Sequence, residues 1–446
     1  MNELHIKKGW TPKIEGAPSL ELDDSPNPLN VALIPETIPY IKPKLRVKEG
    51  DHVQIGSVLF IDKRNPEIQF LSPGCGSIDK IVFGNRRVIQ AIIIKLDQQE
   101  TFQSFQTITE NELDALDRDT LIRMLISGGV WPYIRALPFR DIASPTAKPP
   151  SIIVNLLTRE PFQPNPEVYL KGNKDMFMFG MHVLQKISNN KLMVYTSPDN
   201  PFVTKVFSDV ITHKISGPYP LDDPGVFLYH VKQSSDDNRS WFINGQDVIF
   251  IAKLLLEGKY PIERIVSVAG TGSRFKKHIR TRLGVPLSHI CKHAALLQDI
   301  RTIVGGVFTG YKTSLDSYLG FYDTSVMLVP EGNEPELFGF LRLGYSKPTH
   351  SRTFFSVFNR SPKEIDCNLH GCQRACVNCG FCVSICAVDI LPQFLMKSIL
   401  AGDTQEALMH GLLDCAECGL CTYVCPSKIS LHQIIQTAKR NYYLET

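Results

Sequence analysis

Two stretches, "CVNCGFCVSICAVDILP" (376–392) and "CAECGLCTYVCPSKISL" (415–431), decide how the C-terminal part of the chain folds. Both read C-x2-C-x2-C-x3-C. The first carries Cys376, Cys379, Cys382 and Cys386; the second carries Cys415, Cys418, Cys421 and Cys425, followed by Pro426. Two-residue spacers let three thiolates curl around one compact object, and a cubane takes its fourth ligand from further away. In two-cluster proteins the last cysteine of each run serves the other cluster. The expected ligand sets are therefore Cys376, Cys379, Cys382 with Cys425, and Cys415, Cys418, Cys421 with Cys386. Cys386 departs from the usual pattern by preceding Ala387 rather than proline.

Zinc and disulfides compete with two [4Fe-4S] clusters. Each run alone could supply four zinc ligands, although zinc sites usually pair two CxxC units across a long spacer. The polar start "MNELHIKKGW" gives no signal peptide, which speaks against disulfides. Between the runs, Leu391, Leu395 and Ile399 recur at helical spacing, and Asp403 with Glu406 resembles a capping box opening a second helix. Two helices there predict an α-helical ferredoxin domain over 360–446. Cys367 and Cys372 read as surface or packing cysteines, Cys75 and Cys291 as structural ones.

The chain has 446 residues, 43% of them hydrophobic, and a formal net charge of +3. That length predicts two to four domains, and that charge carries no nucleic-acid footprint. No apolar run reaches the roughly 18–20 residues of a membrane span; "VIFIAKLLLEG" (248–258) reads as a buried or amphipathic helix.

Residues 1–100 read as short strands and turns. "VKEGDHVQIGSVLF" matches a biotinyl/lipoyl-type barrel-sandwich hybrid, with Gly50 and Gly56 at tight turns. Lys63 stands near the place of a carrier lysine, but Arg64, Asn65 and Pro66 spoil the match, so a structural role is expected. Residues 119–260 predict a Rossmann-like α/β domain, with strands in "SIIVNLL" (151–157) and "KLMVYTS" (191–197) around a helix in "DMFMFGMHVLQKI". Residues 261–330 begin a smaller β-rich domain at "IERIVSVAG". Phosphate loops fail: "AGTGSRF" lacks the GxGxxG spacing, and Tyr311 separates Gly310 from Lys312. His213, His230 and His293 form no ligand-spaced set. No catalytic side chain is assigned.

"IKKGWTPKIEGAP" (6–18), "GGVWPYIRALPF" (128–139), "TRLGVPLSHI" (281–290), "ELFGFLRLG" (336–344), "ILPQFLMKSILAGDTQEA" (390–407) and "CTYVCPSK" (421–428) together resemble the A-subunit family of the sodium-translocating NADH:quinone reductase. The resemblance implies an oxidoreductase and translocase component, inactive alone, peripheral to the cytoplasmic face of a bacterial inner membrane within a six-subunit complex. It implies ubiquinone as a candidate ligand. The middle is similar to the flavin-binding 51K subunit of complex I, followed by a β-grasp (SLBB-like) domain over 261–330. Trp131, Pro132 and Tyr133 replace the glycines of the flavin loop there, so no FMN is expected. Typical members of the family have lost most cluster cysteines; this chain keeps all eight, as the C-subunit family of the Rnf complex does. An Rnf-type component exchanging electrons between ferredoxin and NAD is the alternative, and a metal-stabilised scaffold without catalysis is a further one.

Overall fold

Alternating β-branched residues and glycine turns build two antiparallel sheets from residues 30–96. One is ordered Asn30–Leu33, Ile89–Leu96, Gly76–Phe83, His52–Val53; the other, Pro43–Leu45, Val58–Asp62, Gln69–Leu71. Gly50 and Gly56 take φ of 87° and 93°, a region that disfavours any residue with a Cβ. The Asp62–Lys63 tip is pinned. Asp62 is buried, accepts the Lys42 amide and pairs with Arg64, which also bridges to Asp141 at 2.8 Å. The computed structural model describes residues 2–445 except 293, 295–298, 333–337, 339–340, 342, 352 and 370. His293 and much of "ELFGFLRLG" lie outside the described residues.

Ile152–Leu156 and Leu192–Thr196 are parallel neighbours joined through the helix Lys174–Ile187, the expected βαβ unit. They lie in a seven-stranded sheet ordered Asn2–His5, His213–Ser216, Leu192–Thr196, Ile152–Leu156, Trp241–Asn244, Arg135–Ala136, Asp141–Ile142. Its first five strands are parallel. Such sheets are covered on both faces, which explains near-continuous apolar strands. The helix Gly245–Glu257 is buried from Gly245 to Ala252 and stops at Gly258 in the left-handed region. Its apolar run therefore packs as core, and no helix among the described residues is long and apolar enough to cross a membrane.

A third, mixed sheet is ordered Tyr311–Thr313, Ile300–Val304, Ser325–Pro330, Glu263–Ala269, Lys277–Arg282, Leu22–Asp24. The first 24 residues thus donate one strand to the α/β sheet and one to this sheet before the chain enters the two antiparallel sheets. Each pairs the backbone of a longer strand and itself forms a short edge strand, which limits the unpaired backbone presented there.

The C-terminal segment is helical: Phe381–Ile385, Pro392–Ala401, Thr404–Met409, Leu420–Tyr423 and Leu431–Glu445. Pro392 starts the second of these, where a missing N–H costs nothing, and Gly402 ends it. Asp403 accepts the Glu406 amide at 2.8 Å and so caps the helix, but the reciprocal half of the expected capping box is not made, because the Asp403 amide donates to the Ser398 carbonyl at 3.0 Å. Val388, Ile390, Leu395, Leu412 and Ile435 share one apolar cluster with Ile153, Tyr195, Ile215 and Phe227. The helical segment is therefore cemented to the face of the parallel sheet.

Candidate metal centre

The two cysteine runs fold alike. Asn378 and Glu417, just before the second cysteine of each run, have φ of 53° and 55°; Gly380 and Gly419, just after it, both have φ of 76°. Asp389 and Lys428, three residues after each fourth cysteine, have φ of 52° and 56°. Backbone that alternates into the left-handed region turns successive N–H groups into a concavity suited to anions, including sulfide. At Gly419 a Cβ would also lie 2.7 Å from the Phe308 carbonyl oxygen, so two constraints demand glycine there.

Each glycine opens a short helix, Phe381–Ile385 and Leu420–Tyr423. Cys382 and Cys421 lie within these helices, whereas Cys386 is the extended C-cap of the first and Cys425 lies two residues past Tyr423. The chain leaving each helix therefore takes the fourth cysteine of the run to a different cavity from the third. An inner cavity of about 450 Å³ is lined by Cys386, Cys415, Cys418 and Cys421. An outer cavity of about 360 Å³ is lined by Cys376, Cys379, Cys382 and Cys425. All twelve cysteines are free. Cys367 and Cys372 line neither cavity, and Cys75 and Cys291 are buried elsewhere.

The inner cavity lies against the rest of the chain: Pro220, Val226 and Ile435 line it beside Cys386, Cys415, Cys418 and Cys421, which are half-buried. Burial pushes the Cys415 thiol up to about 12. Burial, then the neighbouring sulfurs, drives Cys418 and Cys421 higher still, and burial also raises Cys386. Four crowded thiols ionise there only if a cation replaces their protons. The chain around them is fixed from distant elements. Arg140 donates to the Ala416 carbonyl at 2.8 Å and pairs with Asp223 at 2.7 Å. Tyr219 donates to the Cys418 carbonyl at 2.7 Å, and Lys439 donates to the Cys415 carbonyl at 2.8 Å. Lys439 also pairs with Glu417 at 3.0 Å. Burial alone would raise Glu417, but Lys439 and Arg140 hold it below the ordinary carboxylate range. None of these partners is signalled by cysteine spacing; the matched glycines at 380 and 419 are.

The outer cavity opens to the surface. Cys376 and Cys379 are exposed, Cys382 is buried, and the Cys382 thiol donates to Gln393 Oε1 at 3.0 Å. Burial raises Cys382 to about 11. Among the described residues one further set of ligand types converges, His52, Cys75 and Asp97. It consists of an exposed His52–Asp97 pair at 2.7 Å beside a buried thiol that is 3.3 Å from the Thr101 hydroxyl.

The stretch 128–139 is packed into the core. Trp131 and Tyr133 are buried, Trp131 Nε1 donates to the Ala143 carbonyl at 2.8 Å, and Tyr133 stacks on Phe321 at 4.7 Å.

Comparison with known proteins gives three family models: an NqrA N-terminal barrel-sandwich hybrid domain over residues 4–97, an NqrA second alpha/beta domain over 116–260, and a 4Fe-4S dicluster domain over 375–429. The A subunit of the Na(+)-translocating NADH-quinone reductase of Histophilus somni (strain 129Pt) is 33% identical over 98% of both chains. Its namesake from Pasteurella multocida (strain Pm70) is 31% identical over 98% of both. A solved NAD+-reducing [NiFe]-hydrogenase in the H2-reduced state covers 76% of this chain and 68% of its own, at 11% identity and a TM-score of 0.39.

Proposed function

The chain belongs to the A-subunit family of the Na(+)-translocating NADH-quinone reductase, and on that premise we propose that it is a peripheral, electron-transferring component of such a complex. The observation that carries the electron-transfer reading is the sorting of eight cysteines into two cavities, each fed by three from one run and one from the other. Cys376, Cys379, Cys382 and Cys425 would hold one [4Fe-4S] cluster, and Cys415, Cys418, Cys421 and Cys386 the second. Such clusters supply one-electron transfer. Around them Arg140, Tyr219 and Lys439 hold the ligand loop by its carbonyls, and the shared apolar core packs against Cys386 and Cys415. The outer cavity meets solvent, and the inner one meets the α/β sheet. Electrons would therefore pass between surface and interior across the short segments 382–386 and 421–425, which join the two cavities.

The same reading divides the chain into a barrel-sandwich domain over 1–100, a Rossmann-like domain over 119–260, a β-grasp-like domain over 261–330 and a ferredoxin domain over 360–446. The middle is then a degenerate relative of the complex I 51K domain. Trp131 and Tyr133 support a middle domain that has given up FMN, since their rings occupy the loop where backbone would have to approach phosphate. We further propose attachment at the cytoplasmic face, in a six-subunit assembly that delivers electrons to ubiquinone. Washing native membranes with urea tests the peripheral arrangement. The chain should be released together with loss of quinone reduction, and added-back protein should restore it. Retention until detergent is added would contradict a peripheral arrangement.

A further inference from the structure

A third cluster of ligand types stands apart from both cysteine cavities, in the four-stranded sheet of residues 30–96. His52 opens the edge strand His52–Val53, Cys75 immediately precedes Gly76–Phe83, and Asp97 immediately follows Ile89–Leu96. Those three strands are neighbours, with His52 opposite Ser77 and Gly76 opposite Leu96. The register therefore carries an imidazole, a thiol and a carboxylate to the same end of the sheet. Gly76 permits the close approach: a Cβ there would lie 1.9 Å from the Lys95 carbonyl oxygen. The Asp97 amide donates to the Cys75 carbonyl at 3.0 Å, which holds those two residues side by side.

The three side chains converge. Asp97 Oδ2 is 2.7 Å from His52 Nε2 and 3.9 Å from Cys75 Sγ, and the three ligand atoms all lie within 4.8 Å of one another. A tetrahedral zinc ion with bonds of about 2.0–2.3 Å sets its ligand atoms roughly 3.3–3.6 Å apart. The first separation must open by about half an ångström and the second close by a few tenths. His52 is exposed, so its ring can turn that far.

The setting of Cys75 differs from that of a packing cysteine. The residue is buried, yet its sulfur faces two oxygens, Asp97 Oδ2 and, at 3.3 Å, Thr101 Oγ1. Cys291, also buried, lies in an apolar cluster where burial alone pushes its thiol up to about 12. A surface His–Asp pair contributes little by itself. A metal gives the buried thiol and both rim groups one common partner.

We propose that His52, Cys75 and Asp97 bind a zinc ion, with a solvent molecule as fourth ligand. The sulfur forms the floor, the imidazole and carboxylate form the rim, and the open side takes water. A sulfur–zinc bond forms, the Cys75 thiol proton leaves to solvent, and no electron moves. A thiolate with an imidazole suits zinc over magnesium or calcium, which take oxygen ligands. The ion ties the sheet to the segment leaving it. The Thr101 carbonyl accepts the Ile55 amide at 3.0 Å, and the chain then crosses to the end of the helix Gly245–Glu257, where the Phe105 amide donates to the Gly258 carbonyl at 2.9 Å. Nothing in this site depends on what the two cysteine cavities hold.

The test uses the full-length chain, purified anaerobically, passed over a chelating resin and dialysed against zinc alone. About one zinc per chain should bind, and X-ray absorption at the zinc edge should show one sulfur and three nitrogen or oxygen neighbours. His52→Ala and Asp97→Asn, both at exposed positions, should each weaken binding about a hundredfold or more. Cys75→Ala should remove the sulfur neighbour. Iron and sulfide content should be the same in every variant. Should Cys75→Ala fail to fold, the two surface variants and the absorption spectrum carry the test. No uptake at about 10 µM free zinc, or uptake unchanged in both surface variants, would overturn the proposal. So would bound zinc with four sulfur neighbours, which would place it in a cysteine run instead.

Discussion

Cys386 separates two ways of building the same centre. It follows Cys382 by four residues, yet it lines the inner cavity with Cys415, Cys418 and Cys421. In a background with Cys376, Cys379 and Cys382 all changed to serine, adding Cys386→Ser should alter the remaining electron paramagnetic resonance signal. Adding Cys425→Ser instead should leave it unchanged. The opposite pattern would make each run self-contained. The eight cysteines that line the two cavities were legible as candidate ligands because spacing is a local property. The matched φ of Gly380 and Gly419 was half-legible, as a glycine at the same offset in both runs. Arg140 and Tyr219 were not, because their carbonyl partners lie 276 and 199 residues away. No periodicity in the sequence records such a contact.

The helix Leu431–Glu445 is tied to the second run by Lys439, which is almost fully buried against Glu417 and the Cys415 carbonyl, and by Ile435, which packs in the shared apolar core. Removing one partner of a buried pair costs about 3–5 kcal/mol because the other charge is stranded. Lys439→Met should therefore speed amide exchange in this helix by about a hundredfold or more. Adding Glu417→Gln should recover part of the loss. Unchanged exchange in the single variant would show that the pair carries no weight.

A second junction lies between the α/β sheet and the mixed sheet. Glu160 accepts from the Phe308 and Thr309 amides, both at 3.0 Å, and from the Thr309 hydroxyl. Burial, then nearby Asp222, raises it to about 7; burial likewise raises Asp222 to about 6. A carboxyl that stays protonated only in the fold stabilises it below the unfolded value. That stabilisation is lost as pH climbs through the folded value. Thermal stability should fall as pH rises from about 5 to about 7.5, and Glu160→Gln should flatten the decline, leaving the part due to Asp222. An identical slope in the variant would show that Glu160 is ionised throughout.

At the scale of the whole molecule, local patterns were more legible in the sequence than the joins between distant segments. The βαβ pattern of 152–196 and the glycine turns at 50 and 56 are local, and both appear in the structure as read. The routing of residues 2–5 and 22–24 into two other sheets was hidden, because short edge strands carry no period of their own. The shared core of the helical segment and the α/β sheet was hidden for the same reason, since its contacts are long-range. That shared core makes the inner cavity part of the whole molecule.

The central claim is that these two cavities hold a pair of four-iron clusters. Iron and acid-labile sulfide determined on anaerobically purified full-length chain, with absorbance followed during dithionite addition, test it most directly. The account predicts about eight iron and about eight sulfide per chain, with visible absorbance that bleaches on reduction. Stoichiometric zinc in a colourless, redox-inert protein would contradict it.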